Sequence, residues 1–128
     1  MIIFSRNRRL RLNESIRSLV RETVLTTNDF VMPMFVMEGE NAQEAISSMP
    51  GIFRRTIDLT VKECRELFSL GVKAVNIYMK VPENLKDNLG TEAWNKDGLM
   101  QRTIREIKNA VPEMIIMPDV ALDPDSIY

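Results

Sequence analysis

Three short apolar runs, separated by two amphipathic stretches, constrain the fold of this chain more than any other feature. They occupy residues 30–36, 72–79 and 114–117. The last run arrives straight after a helical segment and is too short for a helix, so it reads as a strand buried on both faces. The first reads the same way, although Pro33 cannot donate to a ladder and predicts an edge, a bulge or a non-bonded position there. Between the first two runs, Thr60 and Glu63 have the spacing of a capping box, and Val61, Cys64, Leu67 and Phe68 share one apolar face. A helix is therefore predicted from Thr60 to Leu70, with Gly71 as its stop. Asp97-Gly98 opens the second helix, whose inner stripe is Met100, Ile104, Ile107 and Val111, and Pro112 ends it. Three strands alternating with two helices make an α/β fold, either a doubly wound sheet or a (β/α) barrel. An eight-fold barrel needs ~250 residues, which is more than this chain supplies.

In both architectures the loops leaving the carboxyl ends of the strands carry the chemistry. The third run delivers Asp119 to such an end and Asp123 four residues later. Asp, Pro and Asp are also ordinary turn residues, and spacing alone leaves both readings open. Lys80 follows the second run at the same end, where a Schiff-base lysine could sit, although lysine after a strand is more often solvated. Residues 40–55 form a small excursion around the Pro50-Gly51 turn. The polar stretch 82–96, with Lys86, Asp87, Gly90 and the lone Trp94, is long enough for a lid or a contact surface.

Composition narrows the chemistry. The single Cys64, here expected to pack in the core, excludes an intramolecular disulfide and a cysteine zinc cluster, and the absence of histidine excludes a His-containing triad. Apolar stretches of ~20 residues and a signal-peptide core are both missing, so a cytoplasmic location and no membrane partner are expected. The net charge of −1 hides an asymmetry. Arg6, Arg8, Arg9, Arg11, Arg17 and Arg21 face only Glu14, giving +5 over the first 21 residues and −6 over the rest. Residues 1–28 thus read as a separate amino-terminal arm, extended to residue 12 and then helical, with Asn13 as cap and Ile16, Leu19, Val20 and Val24 on one face. No aromatic residues interleave with these arginines for base stacking, so nucleic acid is not the expected partner.

Seven phrases, in chain order, resemble one family: Arg-Leu-Arg-Leu-Asn (9–13), Ile-Arg-Ser-Leu-Val-Arg-Glu-Thr (16–23), Pro-Met-Phe-Val-Met-Glu-Gly (33–39), Ser-Met-Pro-Gly-Ile (48–52), Lys-Asp-Asn-Leu-Gly (86–90), Asp-Gly-Leu-Met-Gln-Arg (97–102) and Asp-Val-Ala-Leu-Asp-Pro (119–124). The family is porphobilinogen synthase, also called 5-aminolaevulinate dehydratase. The resemblance implies the amino-terminal part of a (β/α)8 TIM barrel preceded by an extended/helical arm, with residues 29–128 supplying its first three strands and two helices. It implies a lyase that condenses two 5-aminolaevulinate molecules into porphobilinogen in haem and tetrapyrrole biosynthesis. It also implies a homo-oligomer, commonly an octamer, held through the arm. The family's two Schiff-base lysines are expected beyond this chain, since none of Lys62, Lys73, Lys80, Lys86, Lys96 or Lys108 matches their motifs. The 128 residues alone are therefore expected to be inactive. Asp119 matches an aspartate lining the family's active site. Ala121 and Asp123 replace two cysteines of the zinc-dependent branch, so no catalytic zinc is expected. Magnesium, if required, would be held by residues outside this chain, with Asp123 a marginal candidate. Asp125 departs from the family's usual aromatic residue. The competing expectation is a shortened, non-catalytic protein, ending at Tyr128, that acts by association through its arm and open barrel edge.

Overall fold

A computed structural model describes residues 7–127; residues 1–6, with Arg6 of the basic cluster, and Tyr128 lie outside it. The three apolar runs form the parallel strands β1 (Val31–Met37), β4 (Ala74–Lys80) and β5 (Ile115–Pro118). The excursion around Pro50-Gly51 is a hairpin of β2 (Gln43–Ala45) and β3 (Phe53–Arg55), and the sheet order is β2-β3-β1-β4-β5. Because β3 pairs in parallel with β1 through Phe35 and Val36, β1 is not an outer strand, contrary to a plain three-strand reading. Pro33 lies before that pairing begins, where β1 has a neighbour on one side only and a missing N–H is tolerated.

The helices α2 (Ile57–Ser69) and α3 (Leu99–Ala110) cover one face of the sheet. Met34, Val36, Val75, Ile77 and Met114 meet Cys64, Leu99, Met100, Ile107 and Val111 in a single core. Cys64 is packed there, its Sγ 3.6 Å from the Met34 sulfur, and burial above all pushes its thiol up to about 11. The predicted capping box at Thr60 does not form. Thr56 is the N-cap, Thr60 is buried in the first turn, and Glu63 pairs with Arg55 at 2.7 Å. Ile57-Asp58-Leu59 extends the helix by one turn, and its Asp58 carboxylate accepts the Asn41 N–H at 3.1 Å. The helix stop is as the sequence indicates. Val72 N–H donates to the Leu67 carbonyl and Gly71 N–H to that of Phe68, both at 3.0 Å, with Gly71 at φ +94°. At α3 the N-cap is Gly98, and Asp97 instead pairs with Arg105 at 3.1 Å.

No helix among the described residues covers the other face of the sheet. Alternation along β1, β4 and β5 leaves Val31, Pro33, Ile115 and Met117 exposed on it, Ile115 by 58% and Met117 by 47%. The strands expected to be buried on both faces are thus covered on one, because both helices pack on the same side.

Residues 7–28 include no buried side chain. Residues 9–11 make one 3-10 turn, so the stretch is not wholly extended. Helix α1 (Glu14–Leu19) is capped by the Asn13 side chain, which accepts the Ile16 N–H at 3.0 Å. It ends at Leu19 rather than Val24, since Leu19 and Val24 stay exposed among the described residues and a short helix with little tertiary packing is marginal. Glu14 gathers Arg17 and Arg21, each at 2.8 Å. A capping box between Thr26 and Asp29 then leads the chain into β1, with Thr27 packed against Gly71.

Candidate functional site

The register sets the open face in levels. Val31, Ala74 and Ile115 align first, then Pro33, Asn76 and Met117, then Phe35 with Tyr78 and Arg54, and last Met37 with Lys80. Asp119 lies one residue beyond the Ile77–Pro118 pair, its N–H donating to the Ile77 carbonyl at 3.2 Å. Polar groups therefore collect toward the carboxyl ends of the strands. Phe35 and Tyr78 stack with ring centroids 5.4 Å apart, and the Asn76 amide donates to the Tyr78 hydroxyl at 2.8 Å.

Two contiguous cavities lie at these ends, sharing Tyr78, Met79, Val81 and Pro124. The larger, of about 410 Å³, is walled by the loop after β5 and by α3, and it collects Asp119, Asp123, Asp125 and Glu92. Its walls are tied together: Asp87 N–H donates to the Asp125 carbonyl at 3.3 Å, and the segments bridge between Asp87 and Ser126. The turn before α3 is fixed by Asp87, whose Oδ1 accepts the Leu89 and Thr91 N–H groups at 2.9 and 3.0 Å. Hydrogen bonds from Thr91 hold this carboxyl below the usual carboxylate range. Gly90, at φ +61°, lets the turn pass close to Leu122 and Asp125.

Asp119 and Asp123, the carboxylates singled out by sequence, thus line one cavity together with Ala121. Asp125 is the buried member, 2% exposed, and its Oδ1 has no hydrogen-bond partner among the described residues. Burial raises its carboxyl pKa, Glu92 and Asp123 raise it further, and Lys86 opposes them.

The smaller cavity, of about 250 Å³, has the opposite character. Arg54, Lys80 and Lys86 line it beside the Phe35–Tyr78 stack. Lys80 is half exposed and bound to Glu44 of β2, with Nζ 3.0 Å from Oε2, and Arg54 meets the same carboxylate at 3.4 Å. The hydrogen bond and charge of Lys80, with a lesser contribution from Arg54, hold Glu44 below the usual carboxylate range despite some desolvation. Sequence reasoning missed Arg54, Glu44 and Glu92 as site residues. Nothing in their local sequence indicates that a hairpin and a distant loop come together, but a β3–β1 parallel pairing would have shown that Arg54 lies level with Phe35.

The sequence model for delta-aminolevulinic acid dehydratase matches residues 4–127. The delta-aminolevulinic acid dehydratase of Synechococcus elongatus is 41% identical over 117 residues, covering 91% of this chain and 35% of that protein. Its counterpart in Helicobacter pylori is 43% identical over 119 residues, 92% of this chain and 36% of its own length. The crystal structure of delta-aminolevulinic acid dehydratase (porphobilinogen synthase) from Toxoplasma gondii ME49, in complex with the reaction product porphobilinogen, superposes with a TM-score of 0.90 at 38% identity. That match covers 98% of this chain and 35% of the solved one. The chain spans about a third of the length of these relatives. With the fold, the order of its motifs and nearly every residue matched, this chain belongs to the delta-aminolevulinic acid dehydratase family.

Proposed function

We propose that this chain is the amino-terminal part of a (β/α)8 barrel enzyme that condenses two 5-aminolaevulinate molecules into porphobilinogen. The family match over residues 4–127 carries this reading. The open sheet face supports it, because aligned apolar residues such as Val31 and Ile115 are what the interior of a closed barrel buries. In this reading residues 1–28 are the arm through which copies associate, residues 29–128 are the first three of eight strands with two helices, and the protein works in the cytoplasm.

Asp119, level with the substrate-sized cavity, orients a substrate amino group or moves its proton. The covalent work falls to two lysines outside these residues. Lys80 is unsuited to it, since its Nζ is engaged by the Glu44 carboxylate at 3.0 Å and it matches neither lysine motif of the family. These 128 residues alone are therefore inactive. Zinc does not fit the donors present: Ala121 offers no ligand atom and Asp123 offers hard oxygen rather than thiolate, which suits magnesium. Any magnesium ligands beyond Asp123 lie outside this chain.

The test is to read the gene past the Tyr128 codon and assay its full product for pyrrole formation from 5-aminolaevulinate. Further strand-helix units with two suitable lysines, and activity that survives chelation and returns without zinc, are expected. An immediate stop codon with a stable, inactive product would replace this reading with the second one, association without catalysis, which the exposed Leu19, Val24, Ile115 and Met117 favour.

A further inference from the structure

Two walls of the larger cavity come from segments on either side of α3, and one residue binds both. The first wall holds Glu92 and Ala93, in the turn before α3, and the second is the loop after β5, Asp119 to Asp125. Asp87 stands at their junction. Its Oδ1 accepts the Leu89 and Thr91 N–H groups at 2.9 and 3.0 Å, closing the turn that leads into Glu92 and Ala93. Its own N–H donates to the Asp125 carbonyl at 3.3 Å, and its backbone bridges to Ser126. A Cβ on Gly90, inside the same turn, would lie 3.7 Å from Leu122 and 3.8 Å from Asp125, so the turn seats directly on the loop. The loop needs such a seat. Its root is tied by the Asp119 N–H to the Ile77 carbonyl, and it closes on itself through the Asp125 N–H and the Leu122 carbonyl. Val120, Leu122 and Ile127 are exposed, and seating the loop buries the Asp125 Oδ1 without a hydrogen-bond partner among the described residues. A segment with few buried apolar contacts and an unpaired buried oxygen opens easily unless something else holds it.

We propose that Asp87 is a positioning residue: its side chain holds the turn that seats the loop after β5, and through that loop it fixes Asp119 at the cavity. This rests on the family reading above and adds to it a residue that acts on the reaction through the loop rather than on the substrate itself.

Two variants separate the acceptor from the charge. Asp87→Asn keeps a carbonyl Oδ1 for both amides, whereas Asp87→Ala keeps no acceptor. Hydrogen exchange read by mass spectrometry on the 128-residue chain follows peptides covering residues 119–127, with β1 and β4 as the control for the sheet. In Asp87→Ala the loop should exchange about tenfold faster or more with the sheet unchanged, and Asp87→Asn should match wild type within about twofold. Loop exchange unchanged in Asp87→Ala, or raised equally in loop and sheet, overturns the proposal. A loss in Asp87→Asn equal to that in Asp87→Ala overturns it too, because the charge and not the acceptor would then be what matters. In the complete gene product, assayed for pyrrole formation, kcat should fall about tenfold or more for alanine and stay within about twofold for asparagine. Full activity in an alanine variant whose loop is loosened removes the positioning role and leaves the family reading intact. An inactive wild-type product removes the family reading and any role in that reaction, while the exchange measurement still upholds or overturns the hold of Asp87 on the loop.

Discussion

Replacing Asp125 with asparagine should stabilise this chain at neutral pH. The side chain is 2% exposed, and its Oδ1 is buried without a hydrogen-bond partner among the described residues. A buried polar atom left unpaired costs about 1–3 kcal/mol. Charge worsens it, because Glu92 and Asp123 repel the ionised form and only Lys86 opposes them. Asparagine keeps the shape and removes the charge but still leaves polar atoms to satisfy, so the gain should fall near the low end, about 1 kcal/mol. For a domain of this size that is about 3–5 °C in Tm. The sign with pH follows from the raised pKa. Between the ordinary value of 3.8 and the higher folded-state value, the folded chain binds the proton and the unfolded chain does not. Stability from this group therefore falls as pH rises through that window, and the whole cost is present above it. Glu44, Asp58 and Asp87 have lowered pKa values and act in the opposite sense, but they are common to both proteins and cancel in the difference. The assay is urea denaturation followed by far-UV circular dichroism at one protein concentration, near neutrality and near the ordinary carboxylate pKa. The variant should be the more stable at neutral pH, with the gap closing on acidification. A variant no more stable than wild type at neutral pH, or a gap independent of pH, refutes the argument.

Three further outcomes are expected. Gly71→Ala forces φ +94° on a residue with a Cβ and brings that Cβ to 2.7 Å from the Thr27 Oγ1, so it should cost about 1–3 kcal/mol in the same denaturation assay. Met117→Lys, at 47% exposure on the open face beside the β5 edge, should reduce self-association in sedimentation velocity while changing the circular dichroism spectrum little. Incubation with 5-aminolaevulinate and borohydride should leave Lys80 unmodified by mass spectrometry, and a stoichiometric adduct there would show that its pairing with Glu44 does not keep it from the substrate.

What the sequence made legible was local. The 3.6-residue stripe of Met100, Ile107 and Val111 identified α3, and Gly71 with its positive φ ended α2. Asp119 could be found because it follows directly from an apolar run. Errors arose where a distant partner decided the matter. Thr60 and Glu63 have the spacing of a capping box, but Arg55 takes the Glu63 carboxylate and Thr56 takes the cap position. That β1 is an inner strand at Phe35 and Val36 was not legible, because β3, three residues long and separated by a hairpin, pairs in parallel with only those two residues. Burial on both faces was inferred from apolar runs, yet the helices cover only one side.

That difference between apolar sequence and exposed surface has a direction along the strands. At the first level of the open face stand Val31, Ala74 and Ile115, which have no polar atom in their side chains and gain only from being covered. One level up, Asn76 enters and turns its amide to the Tyr78 hydroxyl. At the carboxyl end Phe35 and Met37 share the face with Tyr78 and with the ionisable Arg54, Lys80 and Asp119, and wholly apolar cover there would strand those charges. The lower half of the sheet thus calls for further strands and the upper half for a polar ligand. Both demands are met if the face closes into a barrel whose lower levels are packed and whose mouth is left to solvent and substrate. A flat partner pressed over the whole face would satisfy the first and violate the second, which is why the enzyme reading accounts for the polar mouth and association alone does not.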